Sequence, residues 1–157
     1  MKEVYKNLFV GSQVDFESNM KMFDDWYVVH ACKEPYHRQA LGYTGRAAPK
    51  ESPHYLFLYN DKNHLILNMV DTDSPVFFRD EMINEAIVYI IKGLVNGKHV
   101  LIHCNQGESR APSLALLALR KMGVFKGTFS ESIILFRNSY PGYNPKSGIY
   151  NYIRIHW

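Results

Sequence analysis

Apolar and polar positions along the chain alternate between two lengths of run, one suited to strands and one to helices. Short apolar runs at residues 5–10, 26–31, 55–59, 64–70 and 100–102 have strand length. The run Val100, Leu101, Ile102 is rich in β-branched residues, as expected of a strand covered on both faces. Longer periodic segments predict helices. Residues 79–95 place Met82, Ile83, Ala86, Ile87, Ile90, Ile91 and Leu94 on one face, and Asn96-Gly97 closes the segment. Residues 15–23 offer Phe16, Met20 and Phe23 at helical spacing as core contacts. Helical character resumes after Pro112, because residues 113–119 are almost all apolar or small and proline suits a first helical turn. Residues 128–140, with Thr128 or Ser130 as the cap, and residues 149–155 supply two closing helices.

Between these elements lie two kinds of connection. Asn60-Asp61-Lys62-Asn63 is a turn-forming sequence that makes a strand pair of the runs on either side. Residues 33–53 mix proline, glycine and charge without a period, and read as a long loop. Loops of that length inside a compact domain are commonly functional. Arg38, Arg46 and Lys50 are candidates to meet a substrate's charge there, with Tyr36 and Tyr43 as pocket walls. The strand, helix, strand order from residue 64 to residue 102 is the crossover unit of a parallel sheet. The expected fold class is α/β: a single domain over residues 1–157, with a central, mostly parallel sheet flanked by helices on both faces.

Composition narrows the chemistry. A net charge of +3 over 157 residues advertises neither nucleic acid nor a membrane surface as main partner, and mildly favours an anionic substrate. Two cysteines make no disulfide scaffold, and no run is apolar and long enough for a signal segment or a membrane span. A reducing, cytoplasmic setting is the expectation.

The polar specialists concentrate in residues 103–110, between the run 100–102 and the helix that follows. A loop entering a helix N-terminus presents unpaired N–H groups and the positive end of the helix dipole, which together form an anion site. Gly107 lets the backbone curl toward the anion, and Arg110 adds a fork of donors matched to two phosphate oxygens. Cys104, facing this positive charge, is favoured as thiolate, and a thiolate beside a bound phosphate is a nucleophile aimed at phosphorus. Expelling an alkoxide or phenoxide then requires a carboxyl on a different loop to protonate the leaving oxygen. Asp71 and Asp73, after the run 64–70, are the candidates.

His103, Cys104, Gly107 and Arg110 fill the pattern His-Cys-x-x-Gly-x-x-Arg, and with Ser109 and the run 110–114 the stretch resembles the cysteine-dependent protein tyrosine phosphatases, in their dual-specificity branch. The likeness extends to the opening at residues 5–12, to Phe129, Ile133, Ile134, Phe136 and Arg137 of the penultimate helix, and to the turn 140–145, where Tyr140 replaces the family's arginine. It leaves only residues 33–53 unmatched.

The resemblance implies a phosphatase-like fold with a strand-loop-helix phosphate cradle, and a phosphomonoester hydrolase of the protein tyrosine or dual-specificity kind. It would act through a cysteinyl-phosphate on phosphorylated protein, with no metal or cofactor. Catalytic roles would fall to Cys104, Arg110, Asp73 and His103, the last by orienting the cysteine from behind the loop. Asn105, Gln106, Gly107, Glu108, Ser109 and Arg110 would bind phosphate. Asp73 occupies the family's acid position, with Asp71 as the alternative. Some relatives carry a cysteine near the position of Cys32 that forms a reversible disulfide with the nucleophile. Two departures stand out: Ala111 replaces a hydroxyl residue thought to help sulfur leave, and Glu108 would repel a polyanionic headgroup. A phosphate-binding pseudophosphatase and a phosphatase of RNA 5′ phosphates are the alternative readings.

Overall fold

The computed structural model describes residues 1–60 and 62–157. Its sheet has six strands: β1 (Lys2–Tyr5), β2 (Leu8–Ser12), β3 (Tyr27–His30), β4 (Phe57–Tyr59), β5 (His64–Leu67) and β6 (Val100–Cys104). Their order is β1-β2-β6-β3-β5-β4. The inner four run parallel and the two edge strands antiparallel, in keeping with the expected mostly parallel sheet. Where a single strand over residues 5–10 was expected, a hairpin stands instead. Asn7 turns the chain with φ of 64°, a conformation asparagine tolerates. The predicted turn 60–63 includes Asp61, which lies outside the described residues; beside it, Asn60 Oδ1 accepts from the N–H groups of Lys62 (2.9 Å) and His64 (3.1 Å).

Among the described residues six α-helices accompany the sheet: α1 (Gln13–Glu17), α2 (Arg38–Leu41), α3 (Asp80–Val95), α4 (Arg110–Lys121), α5 (Phe129–Ser139) and α6 (Ser147–His156). The faces of the sheet are covered unequally. Val29, Ala31, Val100, Ile102, Leu65 and Leu67 join the large core with α3 to α6. The alternate residues Val28 and Leu101 form a small separate cluster with Phe16 and Phe23, with Phe9, Trp26 and Tyr36 at the margin. That period of two assigns His30 and His103 to the thin face.

Two further predicted segments differ. The helix expected over 15–23 ends at Glu17 and resumes as a 3-10 turn, Met20–Phe23. Asn19 Nδ2 bonds back to the Asp15 carbonyl at 3.2 Å, local competition that breaks helices, and Met20 is exposed while Phe16 and Phe23 are buried. The segment 33–53 is not wholly loop: a helical turn over Lys33–His37 runs into α2. Both pieces are too short for periodicity to reveal, and cross-links define them. Arg38 donates through Nε and Nη2 to the Glu34 carboxylate, each at 2.8 Å, and to the carbonyls of Tyr43 and Gly45. His37 Nε2 lies 2.9 Å from the His54 carbonyl oxygen. Thr128, not Ser130, caps α5, sharing reciprocal bonds with Glu131. Among the described residues no helix is long and apolar enough to cross a membrane.

Candidate active site

The C-terminal edge of a parallel sheet is where α/β folds place their sites. β6 ends there on Cys104, paired in register with Ser12 of β2, while His103 pairs with His30 of β3. The chain then curls through residues 105–109 and enters α4 at Arg110. Gly107 makes the curl possible. Its φ is +78°, and a Cβ at that position would lie 2.9 Å from the Gly11 carbonyl carbon and oxygen. Among the described residues, the N–H groups of residues 105–109 meet no protein acceptor. Five N–H groups without a protein acceptor, just ahead of a helix N-terminus, are the donor set that a backbone anion site uses.

Side chains brace this cradle from outside. Asn105 Nδ2 donates to Gln13 Oε1 and to the Glu34 carbonyl, both at 2.9 Å, while its Oδ1 accepts from Arg110 Nη2 at 2.7 Å. Arg110 Nη1 donates to the Met69 carbonyl at 2.9 Å. Its Nε is buried, makes no hydrogen bond, and lies 4.0 Å from Asp71 Oδ1. The Tyr140 hydroxyl donates to the Gly107 carbonyl at 2.9 Å, and the Asn144 N–H donates to the Glu108 carbonyl at 2.8 Å. Burial pushes the Tyr140 phenol up to about 12, so it stays a donor at neutral pH. Here tyrosine stands where the resemblance expects arginine and ties the loop directly.

The cradle opens into a cavity of about 380 Å³, lined by Cys104, Arg110 and other loop residues together with Asp71, Asn144 and Lys146. The two candidate acids are separated by this geometry. Asp71 lines the cavity and its Oδ1 accepts from Ser109 Oγ at 3.0 Å. Asp73 does not line it: its Oδ1 accepts from Ser147 Oγ at 2.8 Å, at the start of α6. Of the loop residues named from the sequence, Asn105, Gln106, Glu108, Ser109 and Arg110 line the cavity, whereas Gly107 is buried behind them.

Behind the loop, His103 begins a chain of three buried rings. Its Nε2 lies 2.6 Å from His30 Nδ1, and His30 Nε2 lies 2.9 Å from His64 Nδ1. Phe16 stacks on His103 at 4.9 Å and Tyr36 covers His30 at 4.3 Å. Burial lowers the pKa of His103 to about 3 and that of His30 well below its ordinary value, so both rings are neutral at pH 7. His103 is thereby excluded as a cation beside Cys104; its Nε2 is bonded to His30, and its buried Nδ1 has no hydrogen-bond partner among the described residues. Cys32 is fully buried, and burial pushes its thiol up to about 12; both cysteines are free thiols. Sequence reasoning missed His30, His64 and Lys146. Only the alternation along β3 and β6 hinted at the first of these.

A scan against models of protein families finds no match, and a comparison with curated proteins finds none either. Solved structures do match. Human tyrosine phosphatase-like serine/threonine/tyrosine-interacting protein superposes with a TM-score of 0.69 at 16% identity, over 99% of this chain and 94% of that one. Human DUSP28 gives 0.67 at 13%, over 98% and 90%, and the PTP-2 phosphatase of Cydia pomonella gives 0.67 at 17%, over 98% and 87%. The chain therefore has the fold of the tyrosine and dual-specificity phosphatases, as its cradle sequence led us to expect.

Proposed function

We propose that residues 1–157 form one catalytic domain, a cysteine-dependent phosphomonoester hydrolase acting on phosphorylated protein in a reducing, cytoplasmic setting. The observation that carries this reading is the cradle: Cys104 at the strand end, beneath five N–H groups with no protein acceptor, with Arg110 pinned beside it. A phosphate held there presents phosphorus to Cys104 Sγ. The thiolate attacks, the bond from phosphorus to the ester oxygen breaks, and the loop N–H groups with Arg110 hold the remaining oxygens.

Asp71 takes the general-acid role in this scheme, in place of Asp73, because it is the carboxylate that lines the cavity. It protonates the departing oxygen, then as carboxylate removes a proton from the water that attacks the cysteinyl-phosphate. Inorganic phosphate leaves and the thiolate is restored. No redox partner enters the cycle.

The test is hydrolysis of p-nitrophenyl phosphate by the wild-type chain and by Cys104→Ser, with reductant. Turnover abolished by the serine is the expected result. Equal turnover by both proteins, or none by the wild type on any aryl phosphate or phosphopeptide, would overturn the reading and favour a phosphate-binding module.

A further inference from the structure

Beside the cradle lies a second hollow, of about 580 Å³, whose walls include Lys33, Arg46, Val70, Val76, Phe77 and Arg79. We propose that this groove binds the acidic flank of a phosphopeptide whose phosphorylated residue occupies the cradle. The proposal rests on the phosphatase reading and extends it to substrate selection.

Charge is the first argument. Three cations line the groove and, among the described residues, no carboxylate does; Lys33 Nζ is held by the Arg46 carbonyl and lies 3.7 Å from Glu34 Oε1, which leaves the two arginines to carry the charge. The guanidinium groups of Arg46 and Arg79 have no ion pair or hydrogen bond among the described residues, so their charge is open to a ligand. Arg38, nominated from the same segment, is consumed by Glu34 and two carbonyls, and Lys50 does not line the groove. The cradle differs in kind. Its walls carry Asp71, Glu108 and the Cys104 thiolate of the proposed mechanism against Arg110 and Lys146, so their side-chain charges leave no positive excess. The positive field that draws an anionic peptide is therefore set beside the reacting centre.

Position is the second. Val70 lines the groove and Asp71 lines the cradle, and successive Cα atoms are about 3.8 Å apart. The Met69 carbonyl accepts from the Lys33 N–H and from Arg110 Nη1, each at 2.9 Å, so one peptide group joins the two floors. A few residues of extended peptide reach from one to the other. The rim is apolar: Val76 and Phe77 are 71% and 55% exposed, large side chains that ordinary surface packing leaves unexplained as neighbours. An acidic side chain fits against Arg46 and Arg79, and an adjacent apolar one against Val76 and Phe77. A carboxylate or a second phosphate supplies the same anionic chemistry.

The experiment compares p-nitrophenyl phosphate, which is too small to reach the groove, with three phosphotyrosine peptides. Their flanks are neutral, glutamate-bearing or doubly phosphorylated. Arg46→Ala combined with Arg79→Ala is expected to lower kcat/KM roughly tenfold for the anionic flanks, through KM, while the small substrate and the neutral peptide change less than about twofold. Glutamate and phosphate flanks are told apart by which suffers the greater loss. Equal losses on all four substrates, or none on any, would overturn the proposal. Fluorescence anisotropy of the same labelled peptides with the Cys104→Ser chain reads the groove without turnover. Preference for anionic flanks that vanishes with the two arginines supports it, and absence of preference overturns it, whatever becomes of the phosphatase reading.

Discussion

His30 and His103 face each other across β3 and β6 with Nδ1 and Nε2 at 2.6 Å, buried and neutral, beneath the loop that carries Cys104. In the unfolded chain both rings titrate near 6.5. The folded values lie lower, so below about pH 6.5 the unfolded state binds more protons and folding weakens as pH falls toward 3. The urea midpoint should hold steady above pH 7 and decline between pH 6.5 and 5.5. In His30→Asn that slope should be shallower, because one of the protonating rings is gone. An unchanged slope would show that His30 is not held neutral.

Asp71→Asn should cut turnover of phenyl phosphate about a hundredfold and erase the alkaline limb of the pH-rate profile, the limb set by loss of the acid's proton. The loss on p-nitrophenyl phosphate should be smaller, since its leaving group needs less protonation. Asp73→Asn should change both by less than about threefold, with its cost appearing as stability through the Ser147 contact. The reverse ranking would return the role to Asp73.

Ala111 is fully buried in the first turn of α4, directly after Arg110. By the resemblance, a hydroxyl there eases departure of sulfur. Ala111→Ser should speed breakdown of the cysteinyl-phosphate about fivefold, the worth of one hydrogen bond in the transition state. Burst amplitude with rapid quenching reads this: the burst shrinks while steady turnover rises.

Gly107→Ala should cost about 1–3 kcal/mol for the positive φ alone, before its methyl meets the Gly11 backbone. The Tm should fall, and turnover should fall much further than the fraction unfolded, because the displaced loop is the proposed phosphate cradle. Turnover that only followed the folded fraction would separate the loop from the chemistry.

Much of this was legible from the chain. The strand, loop and helix around Cys104 and the amphipathic α3 declared themselves because periodicity and a dense motif agree on them. The thin face did not, since α1, the 3-10 turn after it and the turn before α2 are each too short for a period and are stabilised by cross-links such as Arg38 to Glu34. Which of Asp71 and Asp73 lines the cavity was equally out of reach. Two residues along an irregular loop can point to different partners, and only the positions of Ser109 and Ser147 distinguish them. His64 escaped notice because its ring meets His30 from a strand position two residues off register.

The Met69 carbonyl, shared by Lys33 and Arg110, has a mechanical consequence. A single peptide plane is the axle between the proposed peptide groove and the proposed reacting centre. Were a ligand to tilt that plane, the guanidinium would turn with it, and selectivity would be geared to rate. Substitutions at the groove's outer wall, away from that axle, can change what is recognised and leave the reacting parts at rest.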